Sequence, residues 1–375
     1  MNKRFGLYGF LASVMLTFPA AAEDFSGPMN LSLGGYMRWY GTFADFFDVK
    51  NMPRLGNGNY NKFDVMGDAE IYFTGTLLVV DGLKLDAVAQ LKAGTEVKHF
   101  DETYLGIETD FGRFQIGNIK NTAVQMSVES PTVSMIGVQE SSYNRFGVFG
   151  ALGKSAEATY ATWDDISTKL NYISPSMAGI SVGVSLMPSN KSNGEDDTIF
   201  VNNAVFQYGA TATVLYDARF GDNDEWLIAA SASYAHYKPR DSFTGTHRPI
   251  RDFSAGVNVG WRDFTIGGSV KRELSPFNTD TVGENFSNAQ GYVYDAGVSY
   301  DNGVYGLSLN YIGAKNRDTA RKAAKNTSDL VVAAGKYRLG AGVNVFMDVS
   351  FAKIDMASGA KAKGIGSATG FDVVF

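Results

Sequence analysis

The sequence predicts an all-β chain, a 16-stranded antiparallel transmembrane β-barrel. Three observations predict it. Apolar residues alternate with small polar ones at period two along most of the chain, aromatic residues mark both ends of the apolar faces, and connections alternate between short and long.

The first 22 residues stand apart. Lys3 and Arg4 precede a mostly apolar run from Phe5 to Phe18, and Pro19 leads into Ala20-Ala21-Ala22. That is the pattern of a secretory leader, too short to span a membrane. The expected organisation is therefore a signal peptide over 1–22 and one barrel domain over 23–375. Losing the leader removes two positive charges from a chain whose formal net charge is −6. An exported chain with no cysteine forgoes disulfides in an oxidising compartment. The acidic balance and the lack of lysine or arginine blocks argue against a nucleic-acid partner. Beyond the leader, no apolar run approaches the roughly 20 residues of a membrane helix.

The alternation carries the fold. Ile180, Val182, Val184 and Leu186 share one face, with Ser181, Gly183 and Ser185 opposite. Phe253, Ala255, Val257, Val259 and Trp261 oppose Ser254, Gly256, Asn258 and Gly260. Tyr292 to Tyr300 oppose Val293, Asp295, Gly297 and Ser299, while Tyr305, Leu307, Leu309 and Tyr311 oppose Gly306, Ser308 and Asn310. Val343 to Phe351 continue the pattern. The expected strand length, roughly 9 to 13 residues, exceeds the 5 or 6 usual in soluble sandwiches. Phe253 and Trp261, like Tyr292 and Tyr300, stand eight residues apart. That is about 26 Å along a strand, or about 20 Å across a bilayer once the strand tilts, as two aromatic girdles require. Tyr305, Tyr311 and Phe375 join these girdles as candidates.

Short turns are expected at 81–82, 110–112, 221–224, 262–263, 301–303 and 339–340. Longer segments fall near 44–61, 94–100, 120–156, 188–203, 239–251, 273–288, 315–328 and 357–363. Eight long segments imply eight hairpins and sixteen strands, enough to enclose a water-filled channel. The polar face, rich in Ser, Gly, Asn and Thr, suits such a lumen. The final strand alternates Thr369, Phe371, Val373 and Phe375, ending on an aromatic that suits recognition by the outer-membrane assembly machinery.

Enzymatic chemistry has no foothold in the motifs. His99, His236 and His247 are scattered, and no nucleophile elbow, phosphate loop or zinc spacing occurs. Glu195, Asp196 and Asp197 form an acidic cluster in a long loop, either solvated or a weak site for a hard cation such as Ca²⁺. No other cofactor is expected.

One stretch is more specific. Thr103-Tyr104-Leu105-Gly106-Ile107 is followed by Asp110-Phe111-Gly112-Arg113-Phe114-Gln115-Ile116-Gly117, and Tyr172-Ile173-Ser174-Pro175 leads to Gly179-Ile180. These resemble strands four and five, and the return after the third loop, of general porins of the α-proteobacterial type. The resemblance covers the whole mature chain. It implies an outer-membrane homotrimer, embedded in lipid and lipopolysaccharide, whose barrels pass small hydrophilic solutes and ions by weakly selective passive diffusion. It also implies a third loop, about 120–156, folded inward to place acids opposite a basic wall. The acids would be Glu129 and Glu140, and the wall would carry Arg38, Lys84, Lys92, Arg113 and Lys120. Asn118 stands after Gly117, where many porins carry a constriction arginine. A substrate-specific porin for sugars or anions, with Tyr36, Tyr40 and Tyr72 as an aromatic slide, is the alternative within the architecture. An outer-membrane enzyme is the alternative outside it.

Overall fold

A computed structural model of the chain describes residues 29–52, 61–93, 100–139, 158–161, 163, 166–190, 206–239, 249–274, 289–318 and 325–375. Sixteen antiparallel strands close into a single barrel in sequence order. They are β1 (Met29–Lys50), β2 (Phe63–Val80), β3 (Leu83–Ala93), β4 (Phe100–Thr109), β5 (Gly112–Ile119) and β6 (Ser167–Ile173). Next come β7 (Ile180–Ser189), β8 (Phe206–Phe220), β9 (Trp226–Pro239), β10 (Ile250–Trp261) and β11 (Phe264–Glu273). The wall ends with β12 (Ala289–Asp301), β13 (Tyr305–Asp318), β14 (Lys325–Gly340), β15 (Val343–Asp355) and β16 (Lys361–Val374). Closure abolishes the free edges that an open sheet would present.

The seam joins β16 to β1, running from Tyr36 opposite Val374 to Phe47 opposite Lys363. Phe375 extends it, since its carbonyl accepts from Gly35 N–H at 3.0 Å and its own N–H donates back at 3.1 Å. Expected faces hold on every strand quoted from the sequence. Leu33, Trp39, Ile180, Val257, Leu307 and Phe371 are exposed outward, whereas Ser185, Asn310, Asp348 and Asp372 are buried inward.

Five expectations need correction. β1 and β2, at 22 and 18 residues, are much longer than expected, β8, β9, β13, β14 and β16 run slightly over at 14 to 16, and β5 and β6 fall short at 8 and 7. β1 continues to Lys50 through a stretch expected to be loop, because its pairing with β16 holds to Phe47 and resumes at Lys50 after a register shift, where Asp48 takes φ +53°. The turn expected at 339–340 falls at 341–342, where Gly342 adopts φ +73°. The segment 357–363 is only a tight connection between Asp355 and Lys361. Finally, the inner face is not uniformly polar: Val293, Ile312, Leu330, Val332 and Phe346 face inward and form a buried cluster.

A channel narrowed by its own loop

After β5 the chain turns into the barrel. Asn121 caps the single helical turn α1 (Thr122–Gln125), its Oδ1 accepting the Val124 N–H at 2.9 Å. The segment then crosses the wall, strand by strand. Thr122 N–H donates to Ser185 Oγ of β7 (2.7 Å), and the Thr122 and Thr211 hydroxyls meet at 3.0 Å on β8. Val128 N–H donates to Ser231 Oγ of β9 (2.8 Å), and Asn258 of β10 donates to the Glu129 carbonyl (2.9 Å). Ser130 N–H reaches Asp295 of β12 (3.1 Å), Val133 N–H reaches Ser308 of β13 (3.1 Å), and the Ser134 hydroxyl donates to Asp348 of β15.

Thr122 to Ser134 thus spans eight strand spacings, about 38 Å at about 4.8 Å each. Past the helical turn of α1, residues 127–134 run without helix or strand. Non-helical backbone at membrane depth is tolerated only where protein or a wet cavity receives it. Here the wall's hydroxyls, amides and carboxylates satisfy it.

Glycines make room for the crossing. A Cβ on Gly256 would lie 1.8 Å from the Val128 carbonyl oxygen, and one on Gly183 would lie 2.4 Å from Met126 Sδ. Asp295 is the main anchor. It accepts from Ser130 N–H, from the Ser269 hydroxyl (2.7 Å) and from the Gln139 amide. Beyond it, Ile136 and Val138 pack into the inner apolar cluster with Val293, Ile312, Leu330 and Phe346. Met126, Val128 and Ser130 are buried toward the wall, so Gln125, Ser127 and Glu129 take the other side, toward the open lumen.

That lumen is bounded by β1–β5, whose inner face is charged. Arg38 grips Asp372 of β16 with Nη2 at 2.9 Å and Nε at 3.0 Å. Lys84 bridges Glu108 (2.8 Å) and Asp86 (3.3 Å), while Lys92 lies 3.7 Å from Glu70. Arg113 lies by Gly106 and Asp86 across β4, and the backbone of Lys120 hydrogen-bonds Glu102. Tyr36 donates to Asp68 (2.9 Å) and Tyr72 to Glu70 (2.8 Å), their rings 6.4 Å apart. Tyr40 is not available to solutes, being buried against Phe346.

The candidate cations therefore converge on one wall, and Glu129 lies across from it on the loop. Glu140, the acidic cluster Glu195-Asp196-Asp197, His99, His247 and the leader lie outside the described residues. Asn118 faces outward: it bonds Thr168 (2.9 Å) and Thr103 (3.5 Å), both on the outer face. The expected arginine position therefore does not line the lumen. Sequence reasoning missed the carboxylate partners Asp372 and Glu108, which lie far along the chain or across a turn. It also missed Lys169, buried inward, whose Nζ donates to the Ile119 carbonyl (2.8 Å) and to Ser167 Oγ (2.9 Å).

On the outer face, Trp226 pairs with Trp261, Phe264 with Tyr300, and Tyr305 with Tyr337 at the short-turn end. Phe253 and Tyr292 are exposed near the long-loop end. Tyr311 sits mid-strand, against Tyr294 and donating to Asp329 (2.6 Å).

A family model described as Gram-negative porin matches residues 10–355. The chain belongs to the Gram-negative porin family. It is an outer-membrane channel for the passive diffusion of small hydrophilic solutes and ions. Solved porin-like structures share the fold at low identity. The outer-membrane channel DcaP of Acinetobacter baumannii matches with TM-score 0.63 and 11% identity, covering 92% of this chain and 97% of that one. An anion-selective porin from Comamonas acidovorans gives 0.60 and 13%, covering 93% and 100%. OmpT of Vibrio cholerae in a trimer form gives 0.57 and 13%, covering 93% and 99%. A search among curated proteins returned no significant match.

Proposed function

We propose that the porin is a general-diffusion channel with a slight preference for cations. Its constriction lies between Glu129 on the inner loop and the wall that carries Arg38, Lys84, Lys92, Arg113 and Lys120. One observation supports this reading above others: three of the wall cations are interleaved with carboxylates rather than forming a bare basic ring. Arg38, Lys84 and Lys92 each have an acidic partner within 4 Å. Interleaving of this kind orders water and orients dipolar solutes without strongly rejecting either sign of ion. Tyr36 and Tyr72 alone make too short an aromatic face for a sugar slide.

The same reading includes a homotrimer of the α-proteobacterial type, a leader removed after residue 22, girdles that include Phe253, Trp261, Tyr292, Tyr300, Tyr305 and Phe375 but not the mid-strand Tyr311, and delivery of the C-terminal strand to the barrel-assembly machinery. No catalytic step is assigned to it. Planar-bilayer recording tests the reading. Stepwise conductance with a reversal potential slightly toward the cation side in a salt gradient is expected. The absence of steps, or strong anion selectivity, would overturn it.

A further inference from the structure

The charges of the open wall are not matched one to one, and the mismatch falls on a single carboxylate. Arg38 and Asp68 face each other across β1 and β2, as do Tyr36 and Glu70. Yet Arg38 is engaged by Asp372 at 2.9 Å, and its guanidinium stands over the Tyr36 ring, 5.1 Å from the centroid. Lys84 is held by Glu108 and Asp86, and Lys92 lies 3.7 Å from Glu70. Asp68, half-buried, is left with a neutral partner, the Tyr36 hydroxyl, which donates to its Oδ2 at 2.9 Å. Among the described residues it has no ion-pair partner. A phenol orients a carboxylate without cancelling its charge, and the remaining lone pairs stay open to water or to a passing ion.

Strand pairing fixes the depth of Asp68 in the barrel. The loop's crossing starts at Ser185, and pairing leads from there through Asn171, Gln115, Gly106 and Asp86 to Thr76 on β2. The crossing ends at Asp348, from which pairing leads through Ala368 and Thr42 to Asp64 on β2. Because the strands of a barrel tilt, these two lines meet β2 on either side of the loop's own level. Asp68 lies between them, at the depth where the loop narrows the lumen, on the wall across from Glu129. Glu108 pairs with Lys84, opposite Leu78, and so lies outside that interval.

We propose that Asp68, oriented by Tyr36, is the residue that sets the channel's preference for cations. With Glu129 it places a carboxylate on each side of the narrowed lumen, and carboxylates facing a pore from several sides favour cations. The proposal rests on the channel reading above and adds which charge decides it: an acid of the wall that also carries the basic residues.

The test records the full-length porin in planar bilayers across a salt gradient, at low ionic strength where screening is weakest. Asp68→Asn should lower the cation-to-anion permeability ratio about ten-fold and reverse the sign of the reversal potential. Glu108→Gln, which removes a paired charge outside the interval, should lower the ratio by less than about three-fold. Tyr36→Phe keeps the charge and should stay within about three-fold of the unaltered channel. The chain has no cysteine, so Asp68→Cys introduces its one thiol. An anionic methanethiosulfonate should then restore the cation preference, and a cationic one should deepen the preference for anions. Should Asp68→Asn fail to assemble, the thiol variant carries the test. The proposal is overturned, and the channel reading left standing, if the unaltered protein conducts in steps with a slight cation preference while Asp68→Asn has the same ratio. A loss in Tyr36→Phe as large as in Asp68→Asn, or a thiol that neither reagent reaches, would also overturn it. Absence of steps in the unaltered protein would overturn both.

Discussion

Strands β1–β5 and strands β7–β15 present the same apolar exterior, yet their inner faces have little in common. The first wall carries long charged side chains, Arg38, Lys84, Lys92 and Arg113, spaced by carboxylates and left bare to the lumen. The second carries mostly serine, threonine, glycine and aliphatic residues, its charges Asp252, Lys271, Glu273, Asp295 and Asp348 are buried, and the chain's own third loop lies over it. What separates them is the partner each must satisfy. Water and solutes can satisfy the first wall's charges, whereas irregular backbone at membrane depth needs fixed acceptors and space. A glycine or serine on the second wall is thus as specific as an arginine on the first.

Breaking that contrast at its strongest points should give the largest effects. Arg38→Ala leaves Asp372, which is 3% exposed, without its counter-charge. Removing one partner of a buried pair costs about 3–5 kcal/mol, and the wet lumen places this one at the lower end. Denaturant unfolding of the detergent-solubilised barrel measures it, and an unchanged midpoint would mean that the charged wall is structurally dispensable. Asp295→Ala removes the loop's main anchor. It should cost roughly 1–3 kcal/mol for the donors left unsatisfied and should make the open-channel current noisier.

Gly256→Leu forces the loop off its wall. The overpacking costs about 1–3 kcal/mol, and the displaced segment should lower single-channel conductance. A rise in conductance would show that the loop leaves the lumen altogether. The smallest effect sharpens the comparison by charge alone. Lys84→Gln should move the reversal potential further toward cations and Glu129→Gln away from them. Each should change the permeability ratio by less than about five-fold, as befits exposed charges worth at most about 1 kcal/mol, with no change in unfolding midpoint.

The barrel itself was legible because its rule is local. Alternation along Ile180–Leu186 or Phe253–Trp261 can be read within one strand, and counting long connections yields sixteen. The loop's path was not legible in the same way. Val128 meets Ser231 and Ser134 meets Asp348 across more than a hundred residues, and nothing in the spacing of 122–134 announces those partners. Gly256 and Gly183 read as ordinary small residues on a polar face until the loop lies over them. The inward apolar cluster was hidden for a related reason. Leu330-Val331-Val332-Ala333-Ala334 is apolar on both faces, and only the loop's Ile136 and Val138 explain the inner one. Asn118 shows the limit of motif transfer: the residue after Gly117 faces outward here, so its identity carries no information about the pore.

The loop's amides are held chiefly by side chains of the wall rather than by a ladder of backbone partners. Its bore and its shell are therefore set by separate chemical vocabularies. Replacing Ser185, Ser231 or Ser308 would re-cut the aperture without touching one rung of the sixteen-strand ladder. Hydrogen–deuterium exchange would register the same division in time, with the amides of Val128, Ser130 and Val133 exchanging ahead of those in the strands beneath them.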